Sequence, residues 1–325
     1  MSTRTEIAGY ARGWFVVAFS SELPDGAVKP LHYFGQELVA FRGADGVARV
    51  YDAYCPHLGA HLGIGGSVVG NAIQCPFHAW RFGDEQDCVA RCIEIPYAKK
   101  IPPGAKLRAW PVRELHGHLL VWHDPAGGPP DFEIPPIPEY GTDDWLPWFT
   151  HVYPIATHPR EIVDNLADRA HFPKVHQTRV EEFNFDVDGH TATQWVKGVS
   201  YQGEKVIDRF SSTTTYHGPG YLLMRMIGVL ENYMLFTHTP VDENHVDLRI
   251  AISLRVVKDR ATTEGYMKMY LDNVKAGFED DLRIWEHKVY RDQPLLCEGD
   301  GPIGRLRKWY RQFYATKGVV HEPID

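Results

Sequence analysis

Cys55-Pro56-His57 is followed, after seventeen intervening residues, by Cys75-Pro76-Phe77-His78. Each loop offers one thiol and one imidazole. A structural zinc site usually draws its ligands from C-x2-4-C and H-x3-5-H knuckles, with one ligand type on each. The mixed order suits a [2Fe–2S] core in which one iron takes both thiolates and the other takes both imidazoles. Neutral histidines in place of two thiolates raise the potential of such a core to roughly −150 to +300 mV, from about −400 mV for all-cysteine ligation. A centre poised there accepts electrons from a low-potential reductase. Gly59 after the first pair, and Ala79 with Trp80 after the second, supply the small and aromatic neighbours such a centre needs.

The ligand set Cys55, His57, Cys75 and His78 is thus a Rieske-type cluster site. The rest of the composition is that of an ordinary two-domain chain: 325 residues, 44% hydrophobic, 23% charged, net charge −8. The acidic balance and the lack of any Lys/Arg run speak against nucleic acid or an anionic membrane as partner. Met1 to Phe15 mixes Arg4, Glu6 and Arg12 with apolar residues and does not read as a signal peptide. No stretch approaches a membrane span. Cys88, Cys92 and Cys297 remain outside the cluster, an odd number that suits a reducing cytoplasm. Cys88 and Cys92 read as two buried thiols in preference to a disulfide.

Short β-branched and aromatic runs predict strands over 14–19, 38–42, 47–51, 72–74 and 119–122, with Gly43-Ala44-Asp45-Gly46 as a turn. An antiparallel β domain follows, its two ligand loops side by side and joined by Gly63-Ile64-Gly65-Gly66. Seven prolines between Asp124 and Pro147 exclude helix and central strand, so the boundary is placed there, giving domains 1–130 and 131–325. Thr157 or His158 then caps a helix with Pro159 in its first turn, running through Asp168. Alternation in 246–255 predicts a strand with one buried and one wet face. Met267, Tyr270, Leu271, Val274, Phe278, Leu282, Trp285 and Val289 mark a long amphipathic helix over 262–290. The fold class is α+β, an antiparallel β domain followed by an antiparallel sheet gripping a long C-terminal helix.

His171 and His176 lie five apart, which on a continuous helix would splay them by roughly 140°. Pro173 between them predicts a bend that brings both rings to one ion. On the late helix, Glu279-Asp280-Asp281 offers three carboxylates, and only Asp281 falls on the apolar stripe. A buried carboxylate costs several kcal/mol unless it is paired or binds metal. With no Lys or Arg nearby on that stripe, His171, His176 and Asp281 form a candidate two-His-one-carboxylate triad for Fe(II), leaving positions open for dioxygen. Asp168, three residues before His171, is placed to accept that ring's other N–H. Asp164, a turn earlier, reads as a solvated helix carboxylate.

Together these residues resemble the catalytic subunits of Rieske non-haem iron oxygenases, and within them the oxygenase components of 3-ketosteroid 9α-hydroxylases. The resemblance covers nearly the whole chain. It is carried by Tyr10-Ala11-Arg12-Gly13-Trp14-Phe15, Cys75 to Phe82, Cys92-Ile93-Glu94-Ile95-Pro96-Tyr97-Ala98, Leu296-Cys297-Glu298, Asp300-Gly301-Pro302, Trp309-Tyr310 and Phe313-Tyr314. It implies a Rieske domain and a helix-grip (START-like) catalytic domain. It places Cys55, His57, Cys75 and His78 on the cluster, and His171, His176 and Asp281 on the mononuclear iron. It further implies a head-to-tail homotrimer, in which Asp168 links His78 of one subunit to His171 of the next. Asp164 stands where many such proteins carry Asn, Cys88 is an additional thiol, and the chain is shorter than typical steroid hydroxylases.

The expected activity is a monooxygenase that uses O2 and NAD(P)H-derived electrons. These arrive through a separate flavin/iron-sulfur reductase or ferredoxin, since the chain has no fingerprint for NAD or flavin. Residues 221–224, 226–227 and 234–236 offer apolar side chains for a small apolar, steroid-sized substrate. A buried Arg or Lys aimed into the pocket, with Arg225 the residue to inspect, would favour an aromatic-acid hydroxylase or O-demethylase instead. A cluster-bearing electron-transfer or lipid-binding protein without a second iron is the reading from another class.

Overall fold

The structure, a computed structural model, describes residues 9–314, so the first eight residues of the segment read above as no signal peptide lie outside it. The described residues divide into two compact units, one of residues Gly13–Glu133 and one of residues 134–314 together with residues 9–12. Among the described residues, no helix is long and apolar enough to cross a membrane.

The first unit is antiparallel throughout. Its strands are β1 (Gly13–Phe19), β2 (Val28–Tyr33), β3 (Gln36–Arg42), β4 (Ala48–Asp52), β5 (Ser67–Val69), β6 (Ala72–Gln74), β7 (Arg81–Gln86), β8 (Val89–Glu94), β9 (Lys106–Trp110), β10 (Val112–Leu115) and β11 (His118–His123). Eight of them form one sheet in the order β2-β3-β4-β9-β8-β7-β6-β5, and β1-β11-β10 form a second. The β7–β8 hairpin was not legible because its strands are half polar and its two-residue turn, Asp87-Cys88, lacks glycine. Both residues nonetheless sit at positive φ, 51° and 59°, as a tight hairpin turn requires. Cys88 is exposed there, against the expectation of a buried thiol, while Cys92 is buried.

The second unit carries a seven-stranded antiparallel sheet in the order β12-β18-β17-β16-β15-β14-β13. The strands are β12 (Phe149–Ile155), β13 (Thr178–Asp188), β14 (Thr191–Gln202), β15 (Lys205–His217), β16 (Tyr221–Ile227), β17 (Asn232–Pro240) and β18 (Val246–Leu254). Its helices are α1 (Pro159–Val163), α2 (Phe172–Val175), α3 (Arg260–His287) and α4 (Ile303–Arg311). The sheet grips α3: Met267, Phe278 and Trp285 pack with Met234, Leu248 and Ile250 in one core. The Asp259 carboxylate caps α3 by accepting from the Thr262 amide at 2.7 Å. At the other end Lys288 turns extended, so Val289 falls outside the helix and is exposed. The second face of β18 is dry as well, contrary to the alternation. Ala251, Ser253 and Arg249 are buried, and the Ser253 hydroxyl donates to the Leu146 carbonyl at 2.6 Å.

α1 is shorter than its pattern. His158 is the N-cap, its ring accepting from the Arg160 amide, but the helix ends at Val163 and tightens into a 3₁₀ turn over Asp164–Leu166. There Asp164 is buried, not solvated, and takes a bidentate grip from Arg307 of α4, at 2.9 and 2.6 Å. α4 is held close by its own approach. The Arg169 amide donates to the Asp300 carbonyl at 2.8 Å, and Gly301, at φ +103°, passes where any Cβ would collide with the Ala167 carbonyl oxygen. Removing Arg307 would leave the Asp164 carboxylate buried with only the Lys288 ammonium, at 3.9 Å, nearby. Arg307→Ala is therefore expected to cost about 3 kcal/mol of stability. A shift in denaturation midpoint at unchanged m-value would measure it, and a loss below about 0.5 kcal/mol would show the pair to be inert.

Candidate metal centres and substrate cavity

The two ligand loops of the first unit are built alike. In the loop after β4, the Cys55 amide donates to the Ala60 carbonyl at 2.9 Å and the Gly59 amide to the Cys55 carbonyl at 3.0 Å. In the loop after β6, the Cys75 amide donates to the Trp80 carbonyl at 2.8 Å and the Ala79 amide to the Cys75 carbonyl at 3.1 Å. Gly59 and Ala79 occupy the same left-handed position, at φ 76° and 56°. These matched turns place the His57 and His78 rings 4.7 Å apart and stack His57 on Trp80 at 4.5 Å. The Trp80 indole in turn donates to the Tyr97 hydroxyl at 2.8 Å.

Cys55 and Cys75 are buried, unbonded thiols in mutual contact. Burial, and then the neighbouring sulfur against the help of the His57 amide, pushes the Cys55 thiol up to about 11. The Nδ1 of His78 is buried without a hydrogen-bond partner. Two crowded thiols and an orphaned imidazole nitrogen are a costly arrangement unless a cation satisfies them. This donor set fits a two-iron cluster.

In the second unit, His171, His176 and Asp281 each offer a ligand atom, and these atoms lie within 4.8 Å of one another. The two histidines flank the single turn α2 as its N-cap and C-cap, with ring centroids 5.1 Å apart and planes at 78°. No bend separates the two: the helical turn is continuous, the Val175 amide donating to the His171 carbonyl at 2.9 Å and the His176 amide to the Phe172 carbonyl at 3.0 Å, and Pro173 sits in its first turn instead of breaking it. The chain leaves the helical path in a turn before His171, over residues 167–170. Asp168 makes that turn, its Oδ1 accepting from the amides of Ala170 and His171 at 2.9 and 3.2 Å. Its Oδ2 stands 3.6 Å from the His171 Nδ1, which is buried without a hydrogen-bond partner and leaves Nε2 for an ion.

Asp281 faces inward from α3 at 7% exposure. Its Oδ2 lies 3.3 Å from the His176 Nε2, and its Oδ1 accepts from Asn165 Nδ2 at 3.1 Å. Asn165 Oδ1 in turn accepts from the Trp285 indole at 3.1 Å. Asn165 escaped the sequence because an amide in a short helix carries no periodic signal. It sits one residue from Asp164, and the pair face opposite ways, one toward the triad and one toward Arg307. No Lys or Arg is bonded to Asp281 among the described residues, so an ion is the partner its burial lacks.

The triad lines a cavity of about 390 Å³, within the range of small-molecule sites. Leu222, Met224, Met226, Met234 and Phe236 line it, as the apolar runs implied; Leu223, Leu235, Tyr221 and Ile227 do not. Arg225 is turned away, bonded through two of its guanidinium nitrogens to Glu231 and 3.4 Å from Glu139. None of the lining residues is Lys or Arg. His238 lines one end, kept neutral by burial that pushes it down to about 3, and accepts or donates at 3.0 Å with the Tyr216 hydroxyl.

Residues 13–111 match the Rieske [2Fe-2S] domain family, and residues 121–314 match the 3-Ketosteroid 9alpha-hydroxylase C-terminal domain family. A probable 3-ketosteroid-9-alpha-monooxygenase oxygenase component of Rhodococcus rhodochrous is 38% identical over 94% of this chain and 80% of its own. The 3-ketosteroid-9-alpha-monooxygenase oxygenase component of Mycobacterium tuberculosis is 34% identical over 94% and 82%. Cholesterol 7-desaturase nvd of Hemicentrotus pulcherrimus is 30% identical over 97% and 72%. Among solved structures, dicamba monooxygenase bound to dicamba shares the fold at TM-score 0.71 and 18% identity, covering 94% of this chain and 98% of its own. Pseudomonas putida CBB5 NdmA with caffeine does so at 0.73 and 18%, covering 92% and 89%.

Burial pushes the Asp281 carboxyl up to about 6, against the pull of His171 and the Asn165 amide, and pushes the His176 imidazole down to about 4. An ion can use Asp281 only once its proton has left, whereas His176 is already neutral above about pH 4. Binding a divalent ion here therefore competes with the Asp281 proton. Co2+ affinity of the iron-free protein is expected to fall as the pH drops through about 6, by at least about tenfold per pH unit, as competition with a proton dictates. An affinity unchanged from pH 7 to 5 would show that Asp281 carries no such proton.

Proposed function

We infer the role of this chain from the family to which it belongs, the oxygenase components of 3-ketosteroid 9α-hydroxylases among the Rieske non-haem iron oxygenases. It is an oxidoreductase that works with a separate reductase and O2, and carries a Rieske [2Fe–2S] cluster and a mononuclear iron. We propose that Cys55, His57, Cys75 and His78 hold the cluster and that His171, His176 and Asp281 hold the iron. When bound, these groups supply electrons and the activation of dioxygen respectively. Asn165 directs one oxygen of Asp281 toward the iron by engaging the other, and Asp168 fixes the His171 ring.

The substrate we propose is a steroid-like molecule, hydroxylated at a C–H bond presented to the triad. One observation carries this: three metal-ligand side chains enter the wall of an apolar cavity that no Lys or Arg lines. The cavity runs along α3 from Tyr270 to Asp281, about 16 Å at the helical rise, which suits an elongated skeleton. An aromatic acid would bring a carboxylate with no cation to meet it, and Arg225 is already engaged elsewhere. An electron carrier without a second iron would have no use for a buried Asp281. In the cytoplasm, we propose a head-to-tail trimer in which Asp168 joins His78 of a neighbouring subunit to His171. The Asp168 carboxylate 3.6 Å from the His171 Nδ1 supports the His171 half of that link.

Iron and sulfide analysis is expected to give about three irons to two sulfides per chain, and two to two would leave electron carriage alone. With reductase and NADH, hydroxylated product should come from steroids and not from aromatic acids; the opposite outcome would overturn the substrate assignment. Asp168→Asn keeps the Oδ1 that caps Ala170 and His171, so both metals should be retained. Turnover is expected to fall by about 10- to 100-fold, the usual cost of losing a carboxylate behind a ligand histidine. Unaltered product formation would remove Asp168 from the electron path. Asn165→Ala is expected to weaken metal binding at the triad by a similar factor, read by Co2+ titration.

A further inference from the structure

A second cavity, of about 300 Å³, borders the triad from behind. Asn165, His171 and Asp281 line both cavities, so metal-ligand side chains form part of the wall between them. The two linings differ in kind. In front, Asp281 is the only Asp, Glu, Lys or Arg; behind, Asp164, Asp168, Lys288 and Arg307 join it. Leu296 also lines the rear cavity and is 46% exposed, which marks where that space meets solvent.

The ion pairs within the rear lining stabilise the fold, with Arg307 clamping Asp164, but they do not account for the space beside them. Protein interiors are close-packed, and a gap of this size is filled by side chains or by water. Charged walls keep it wet, since a buried water needs about two to four polar partners. The front cavity offers the opposite surroundings. Its titratable groups, the triad apart, are His238, Tyr216 and Tyr270. Burial holds His238 neutral, pushing it down to about 3, and raises both phenols, so none of the three exchanges a proton near neutrality. Hydroxylation needs proton traffic. Placing one oxygen atom of O2 in a C–H bond and reducing the other to water consumes two electrons and two protons, and only the electrons come from the cluster. An apolar substrate that fills the front cavity displaces any water there.

Substrate and solvent therefore need separate entrances. Building on the assignment of His171, His176 and Asp281 to the iron, we propose that the rear cavity is a water passage, through which protons reach the triad and the water formed leaves, while substrate closes the front. Asp164, Lys288 and Arg307 are positioning residues, acting through the water they hold. Asn165 braces the partition. Its Nδ2 donates to Asp281 at 3.1 Å, and its Oδ1 accepts from the indole of Trp285 on the front wall at 3.1 Å.

The test uses the intact, cluster-loaded protein with Mn2+ in place of the mononuclear iron. It reads the relaxation rate of water protons, which a paramagnetic ion raises only where water exchanges beside it. Asp281→Ala, which should abolish the enhancement, ties the signal to the triad. The front cavity is closed in two independent ways: by a saturating neutral steroid, its binding read by indole quenching since Trp285 lines that cavity, and by Met224→Trp with Met226→Trp. Either closure is expected to leave the enhancement within about twofold of that of the open protein. Ile284→Trp with Ile303→Trp, at positions that line only the rear cavity, is expected to lower it at least about threefold with the front closed. Circular dichroism and Mn2+ content would establish that each variant is folded and loaded. Loss of the enhancement when the front is closed, or an unchanged value when the rear is narrowed, overturns the passage and leaves the metal site in place. Failure of the steroid to bind overturns the steroid-like reading alone, and the front tryptophan pair then decides the passage. Failure of the unaltered protein to hold Mn2+ at the triad overturns the metal assignment and the passage with it.

Discussion

Asp281 places an ionisable carboxyl on the inner face of a 28-residue helix, and the second unit is arranged around that cost. The sheet must grip α3 tightly to bury Phe278 and Trp285, and doing so carries Asp281 inward between them. Once there, the carboxyl has three neighbours: an amide from Asn165, an imidazole from His176 and, through the triad, His171. None brings a fixed positive charge. A divalent ion, as proposed for this triad, would resolve the conflict between packing and desolvation, so that the helix that stabilises the fold would also define the metal site.

The first unit reaches a comparable end by backbone geometry. Two turns with matching hydrogen bonds present a thiol at the start and an imidazole two or three residues later. Gly59 meets the left-handed position without strain, whereas Ala79 holds it at a small steric cost. That cost is acceptable because the Cys75 amide donates to the Trp80 carbonyl and the Ala79 amide to the Cys75 carbonyl, fixing the turn from both sides, and Trp80 also supports the His57 ring.

Much of this was legible in the sequence because it depends on spacing. The C-x-H and C-x2-H loops, the stripe that separates Asp281 from Asp280, and the His171/His176 pair all announce themselves as pattern, and the structure brings the last three ligands together. The legible part fails where function rests on a single polar contact. Asn165 and Asp164 each owe their place to one partner far along the chain, Asp281 and Arg307, and periodicity says nothing about such pairs. Pro173 misled for a related reason: it was read as a break between the two histidines, but proline is at home in a first helical turn, and the chain leaves the helical path earlier, where the side chain of Asp168 makes the turn.

Charge is kept on one side of the metal-bearing turn. Asp164, Glu161, Lys288 and Arg307 gather behind it, with Lys288 3.3 Å from Glu161 and Arg307 clamping Asp164, while the cavity in front is lined by hydroxyls, amides and thioethers and, Asp281 of the triad apart, by no Asp, Glu, Lys or Arg. Two buried carboxylates facing two cations at the back leave little net field from that cluster at the triad. The residues of the triad then determine the electrostatics an ion would feel. A single cation on the front wall would change that, and Arg225, on the opposite face of β16 and one residue from both Met224 and Met226, is instead bonded to Glu231.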